Sequence, residues 1–185
     1  MGLSEIEPTL AQLVPAGSLP VPDLEHAFLY GFAGGMIYNL PEPSGCAAVR
    51  VQFHGNLNIV CATASYITRY LKNISFFADA NAPTYSELQF WLSSVDQEAL
   101  DKAAAGGCKF FYGQLGANEA LIMPAGFVVC VKTVNNTHCC GIRKSFLCKS
   151  EQAHLELGAV AELHCESHHS AEAKGFREFA EVCKP

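Results

Sequence analysis

The chain lacks the runs of charge that mark binders of nucleic acid or anionic membrane. Its 185 residues carry a formal net charge of −6, from 12 Lys and Arg against 18 Asp and Glu. Neither a basic cluster nor an acidic block interrupts that thin spread. No apolar stretch approaches the roughly 18 residues that span a bilayer, because Phe127–Val134 is broken by Lys132. The start, Met1-Gly2-Leu3-Ser4-Glu5-Ile6, has no basic segment followed by an apolar one, and no Ser or Thr at position 6 to complete a myristoylation signal. These absences predict a cytoplasmic chain with no transmembrane segment and no nucleic-acid partner. Also missing are a Gly-x-Ser-x-Gly elbow, a phosphate-binding Gly-rich loop, a dinucleotide fingerprint and a His-Glu-x-x-His helix.

What is present is apolar and rich in cysteine. Half of the residues are hydrophobic, enough for one well-buried core in a chain of this length. The nine cysteines are odd in number and irregular in spacing, so a disulfide framework is the weaker reading and buried thiols acting as small hydrophobes the stronger.

Composition divides the chain into three. The first 49 residues contain no Lys or Arg, five acids and six of the nine prolines. Residues 1–45 therefore read as a proline-rich arm packed on the core, with a short helical turn expected around Asp23–Phe32, ended by Gly34-Gly35. A core over 46–149 follows. Val49, Val51 and Phe53 alternate with Arg50, Gln52 and His54, and after Gly55-Asn56 come Leu57, Ile59 and Cys61, which predicts a β-hairpin closed by a type II′ turn. Thr63 or Ser65 is placed to cap a helix to about Lys72 with Tyr66, Ile67, Tyr70 and Leu71 on one face. Thr84 with Glu87 forms a capping box, and Ser94 with Gln97 suggests a second, so the helical region Thr84–Ala105 should restart near Ser94. Four strands are expected over Cys108–Leu115, Ala120–Met123, Phe127–Val134 and Cys140–Cys148, favouring a sheet that closes on itself or on a partner sheet. Residues 150–185 read as a helical tail, two helices broken at His168–Ser170, the second with Ala173, Phe176, Phe179, Ala180 and Cys183 on one stripe.

The central residues bear a family comparison. Phe111-Tyr112-Gly113-Gln114-Leu115-Gly116, then Glu119 through Pro124-Ala125-Gly126-Phe127, then Gly141-Ile142-Arg143, together resemble the closing strands of the cupin and JmjC-type double-stranded β-helix. The resemblance covers Cys108–Leu147 and implies an α+β fold: a cupin-like β-sandwich or barrel with flanking helices. In active members, a His-x-Asp or His-x-Glu pair from an early strand and one later histidine hold a divalent metal. Here the spacing Pro-x-Gly-x-x-His ends at Val129, and the early candidate, His54-Gly55-Asn56, has an amide in place of the carboxylate. Valine offers no lone pair. No metal, no cofactor and no catalytic residue is therefore expected, and the leading expectation is a non-catalytic interaction or scaffold protein with a protein partner.

Two rival readings remain on the sequence. One is an Fe(II)/oxoglutarate oxygenase with the unorthodox ligands His54 and Cys130. The other is a zinc-binding or redox-responsive domain built on His154, Glu156, Glu162, His164, Cys165, Glu166, His168 and His169, where His164/His168 and Cys165/His169 have the four-residue helical spacing that can share one ion. Cys139-Cys140 and Cys148 could serve redox chemistry only if exposed and acidified by Arg143 or Lys144. Arg143 itself is expected to meet an internal acid such as Glu119, or the carboxylate of a ligand.

Overall fold

The computed structural model of the chain describes residues 12–21, 27–31, 36–37, 46–76, 83–134, 137–165 and 170–185. Within these, nine strands and five helices follow one another. The strands are β1 (Leu19–Pro20), β2 (Ala27–Gly31), β3 (Met36–Ile37), β4 (Ala47–His54), β5 (Leu57–Thr63), β6 (Phe110–Leu115), β7 (Ala120–Met123), β8 (Phe127–Thr133) and β9 (Cys139–Leu147). The helices are α1 (Ala64–Asn73), α2 (Tyr85–Ser94), α3 (Gln97–Ala105), α4 (Glu151–Cys165) and α5 (Ser170–Cys183). The α+β class read from the sequence is the class observed.

The strands form two antiparallel sheets. In the first, β9 lies between β4 and the short strands β1 and β2, and β7 flanks β4; in the second the order is β3-β8-β5-β6. Counted from β2, the pairings run β2 with β9, β3 with β8, β4 with β7 and β5 with β6. That is one long antiparallel hairpin whose successive pairs fall alternately in the two sheets. Neither sheet closes on itself among the described residues.

Two expectations are corrected here. The segment Asp23–Phe32 was expected to be a helical turn, yet Ala27–Gly31 is a strand in register with β9 from Ala27↔Arg143 to Gly31↔Cys139. Its Ala-Phe-Leu-Tyr-Gly sequence suits a pleated surface, and the ladder satisfies its backbone as a single helical turn could not. The rest of that segment, with Gly34-Gly35, lies outside the described residues. The first 45 residues thus supply strands to both sheets, beyond the packed arm expected. Second, β4 and β5 do not pair with each other. A register shift between Gln52 and His54 against β9, then Gly55 at φ +74°, turn the chain out of one sheet and into the other, where β5 pairs with β6 and β8. Alternation marked both strands but not their partners.

The helices begin largely where the sequence places them. Thr84 and Glu87 make the reciprocal capping box of α2, with the Thr84 N–H donating to the Glu87 carboxylate at 2.7 Å. The break before α3 comes at Val95, which is extended, and the cap is Asp96, whose carboxylate accepts from the Ala99 N–H at 2.9 Å. Ser94 instead donates to the Trp91 carbonyl, so the expected Ser94–Gln97 box is corrected by two residues. Thr63 is the N-cap of α1 but its side chain makes no capping bond; the Ala64 N–H donates to the Gly126 carbonyl at 2.8 Å.

Two apolar clusters hold these elements. Between the sheets, Ala48, Leu57, Ile59, Leu115, Met123, Val129, Val131 and Cys139 pack together. A larger cluster joins the opposite strand faces, including Val49, Val128, Cys130, Ile142 and Phe146, to Ile67, Leu71, Leu88, Trp91, Leu157 and Phe176 of the helices. Each fully buried side chain of this size contributes about 1.5–3 kcal/mol. The expected stripe of the last helix is met: Ala173, Phe176, Ala180 and Cys183 are buried and Phe179 packs against the same cluster.

Candidate functional site

The site that the sequence singles out begins at the turn 124–126. Gly126 takes φ +84°, a conformation closed to residues with a Cβ at ordinary cost, and a Cβ there would also lie 2.9 Å from the Cβ of Glu156 on α4. That turn sets the register of β8, and register decides facing. Val129 pairs with Cys61 and is buried between the sheets with Leu57, Ile59 and Val131. Cys130 pairs with Val60 and points the other way, into the helix-side cluster. Burial raises its thiol pKa, against a smaller lowering by Lys132.

His54 stands apart from both. It is exposed at the end of β4 in the other sheet, opposite Cys140 beyond the register shift, and its carbonyl accepts from the Gln52 side chain at 2.6 Å. The pair His54 and Cys130 therefore belongs to different sheets and does not share the inner wall. Among the described residues, Val129 is surrounded by the aliphatic side chains of Leu57, Ile59 and Val131. Among the described residues, no three His, Cys, Asp or Glu side chains are grouped to hold an ion.

The inner wall of the first sheet carries what the sequence reading passed over. Ala48 faces the space between the sheets, so Arg50 and Gln52 share that face by the period of two. Across the ladder, Arg50 is opposite Arg143, Ala48 opposite Ser145 and Gln52 opposite Gly141. Arg50 is 0 % exposed and Arg143 2 %; Gln52 and Ser145 are buried as well. Facing them across the interior are the apolar side chains of β5 and β8. The interior thus has one aliphatic wall and one mixed wall, on which Ala48, Met123 and Cys139 lie beside two arginines opposed in the ladder. Arg50 appeared in the sequence only as a polar residue alternating with valines; its signal was a cation with valines on both sides, a pattern equally suited to a surface strand.

Glu119 does not share that buried wall. It is exposed in the β6–β7 turn and its carboxylate accepts from the Gly116 N–H at 2.6 Å, which corrects the expected Arg143–Glu119 pairing. Beside this turn lies a cavity of about 440 Å³ that reaches inner-face residues Ile59, Cys61, Leu115 and Leu121 and is bordered by Phe111 and Tyr112. Leu121 is opposite Arg50 in the ladder.

Among the described residues, the thiols of Cys46, Cys108, Cys130, Cys139 and Cys183 are buried. Burial pushes Cys108 up to about 11, and its sulfur lies 3.5 Å from the Tyr66 carbonyl. Burial likewise raises Cys61, Cys148 and Cys183. Cys139 is buried between the sheets, while Cys140, its neighbour, faces the other way and is half-buried. In the C-terminal run, Nδ1 of His154 is 2.8 Å from the Ala180 carbonyl, and Glu156 accepts from the Ser65 hydroxyl. Both tie α4 to its neighbours. Glu162 is exposed, His164 and Cys165 close α4, and Glu166, His168 and His169 lie outside the described residues. A groove of about 570 Å³ between α4 and α5 is lined by His154, Glu162, Arg177 and Glu181 among others.

No protein-family model matches the chain, and no curated protein matches it.

Proposed function

We propose that this chain is a non-catalytic member of the cupin and JmjC-like double-stranded β-helix group, a binding or scaffold protein that works as a subunit or accessory of a larger assembly. The pairing of β2 through β5 with β9 back to β6 supports the fold part of this reading, since a long hairpin laid over two facing sheets is the plan of a jelly roll. The functional part is carried by Val129: it stands on the inner wall at the position where Pro-x-Gly-x-x-His would supply a ligand, and its neighbour Cys130 points outward. A scaffold of this kind keeps its hairpin frame while its interior serves packing.

Purified full-length chain, analysed for iron, zinc and manganese and assayed for oxygen uptake with oxoglutarate, is expected to contain no stoichiometric metal and to consume no oxygen. One iron per chain that is lost in His54→Ala or Cys130→Ala would overturn the reading in favour of the oxygenase.

A further inference from the structure

Strand β6 ends the second sheet. Among the described residues it pairs with β5 alone, six residues in regular register with no bulge. Phe111, Tyr112, Gly113 and Gln114 are all exposed, Phe111 at 52 % and Tyr112 at 58 %. Sheet edges in solution are ordinarily guarded by lysine, proline, a bulge or a covering element. Phe-Phe-Tyr-Gly-Gln-Leu has no charge and no proline.

Gly113 sharpens the point. A Cβ built there meets nothing within 4 Å, and the residue does not take a positive φ. Among the described residues, nothing requires glycine at this position, where it weakens a strand. Glycine within a strand commonly marks the close approach of another backbone.

We propose that β6 is a self-association edge, through which two copies of this chain pair antiparallel about a two-fold axis at Gly113. A two-fold axis perpendicular to a sheet must pass a residue that lies opposite itself, so that each residue meets one of its own face. With Gly113 on the axis, Tyr112 faces Gln114 of the other copy on one side of the sheet, and Phe111 faces Leu115 on the other. The two glycines, which lie on the Phe111 face of the strand, leave room for the Phe111 rings to lean across the axis, as aromatic side chains do beside edge glycines.

The ends of the strand favour a second copy over an unrelated peptide. Exposed Lys109 precedes β6, and exposed Glu119 follows it at a turn held by its bond to the Gly116 N–H. Antiparallel pairing brings Lys109 of each copy beside the Gly116–Glu119 turn of the other. Opposite charges thus meet twice, once at each end, and the strand is complementary to itself. The same pairing covers the Phe111 border of the cavity between the sheets.

The test is the mass of the purified full chain over a dilution series, with amide exchange of β6 followed in parallel. The wild type is expected to sediment at twice the chain mass when concentrated, to dissociate on dilution and with added salt, and to protect the β6 amides in the dimer. Gly113→Arg occupies open space in a single copy and sets two guanidinium groups face to face on the axis. It is expected to remain monomeric at least tenfold above the wild-type midpoint, with an unchanged circular dichroism spectrum. Tyr112→Lys, also exposed, is expected to weaken the dimer in the same direction. A wild type that is monomeric throughout, a dimer that Gly113→Arg leaves intact, or a dimer whose β6 amides exchange freely would each overturn the proposal.

Discussion

Arg50 and Arg143 face each other across the ladder between β4 and β9, both buried on a wall shared with Gln52 and Ser145. Like charges directly opposite in a sheet disfavour it, and buried guanidinium groups interact through a medium less polar than water. Their energies are therefore coupled. Replacing Arg50 and Arg143 by methionine, singly and together, is expected to show a coupling of about 0.5–3 kcal/mol in urea unfolding; additive single effects would mean that the two groups are held independently. Val129 shows the other side of the same question. Val129 offers no lone pair at its inward position, and its neighbour Cys130, whose thiol has one, is turned away by the pleat. Both facts rest on facing. Alternation in the sequence marked Arg50 and Gln52 as one set and Val49, Val51 and Phe53 as the other, but did not say which set looks inward.

At the scale of elements, local chemistry was the most legible. The Thr84–Glu87 box, the strands after Lys109 and the apolar stripe of the last helix are signals confined to a few residues, and the backbone obeys them. The misplaced cap before α3 has a local cause too: a carboxylate accepts a more strongly charge-assisted bond from the Ala99 N–H than a hydroxyl does, and Asp96 stands two residues beyond Ser94. The turn at Gly126 is the element on which the inner wall depends. Gly126→Ala combines a positive φ with a methyl group against Glu156, and is expected to cost about 2 kcal/mol in urea unfolding. An unchanged midpoint would show that the turn relaxes without loss.

For the whole molecule, the division into arm, core and tail understates how the first 45 residues are used. β1 and β2 pair with β9, and β3 pairs with β8. A chain beginning at residue 46 loses these partners and leaves β8 and β9 with open edges of apolar sequence. It is expected to aggregate or to unfold without cooperativity; a soluble form with a sharp thermal transition would show the early strands to be dispensable. No helix among the described residues is long and apolar enough to cross a membrane, as the hydropathy of the chain indicated.

Caps, turns, strand alternation and the thin charge of this protein are properties of neighbouring residues, and the amino-acid sequence by itself determined them. The pairing of β2 with β9, the crossing of β4 and β5 into separate sheets and the inward aim of Arg50 and Arg143 were decided only in three dimensions. The reason is geometric. A strand reads the same from either face, and its partners, tens of residues away, are chosen by which arrangement buries the larger apolar surface between the sheets and beneath the helices.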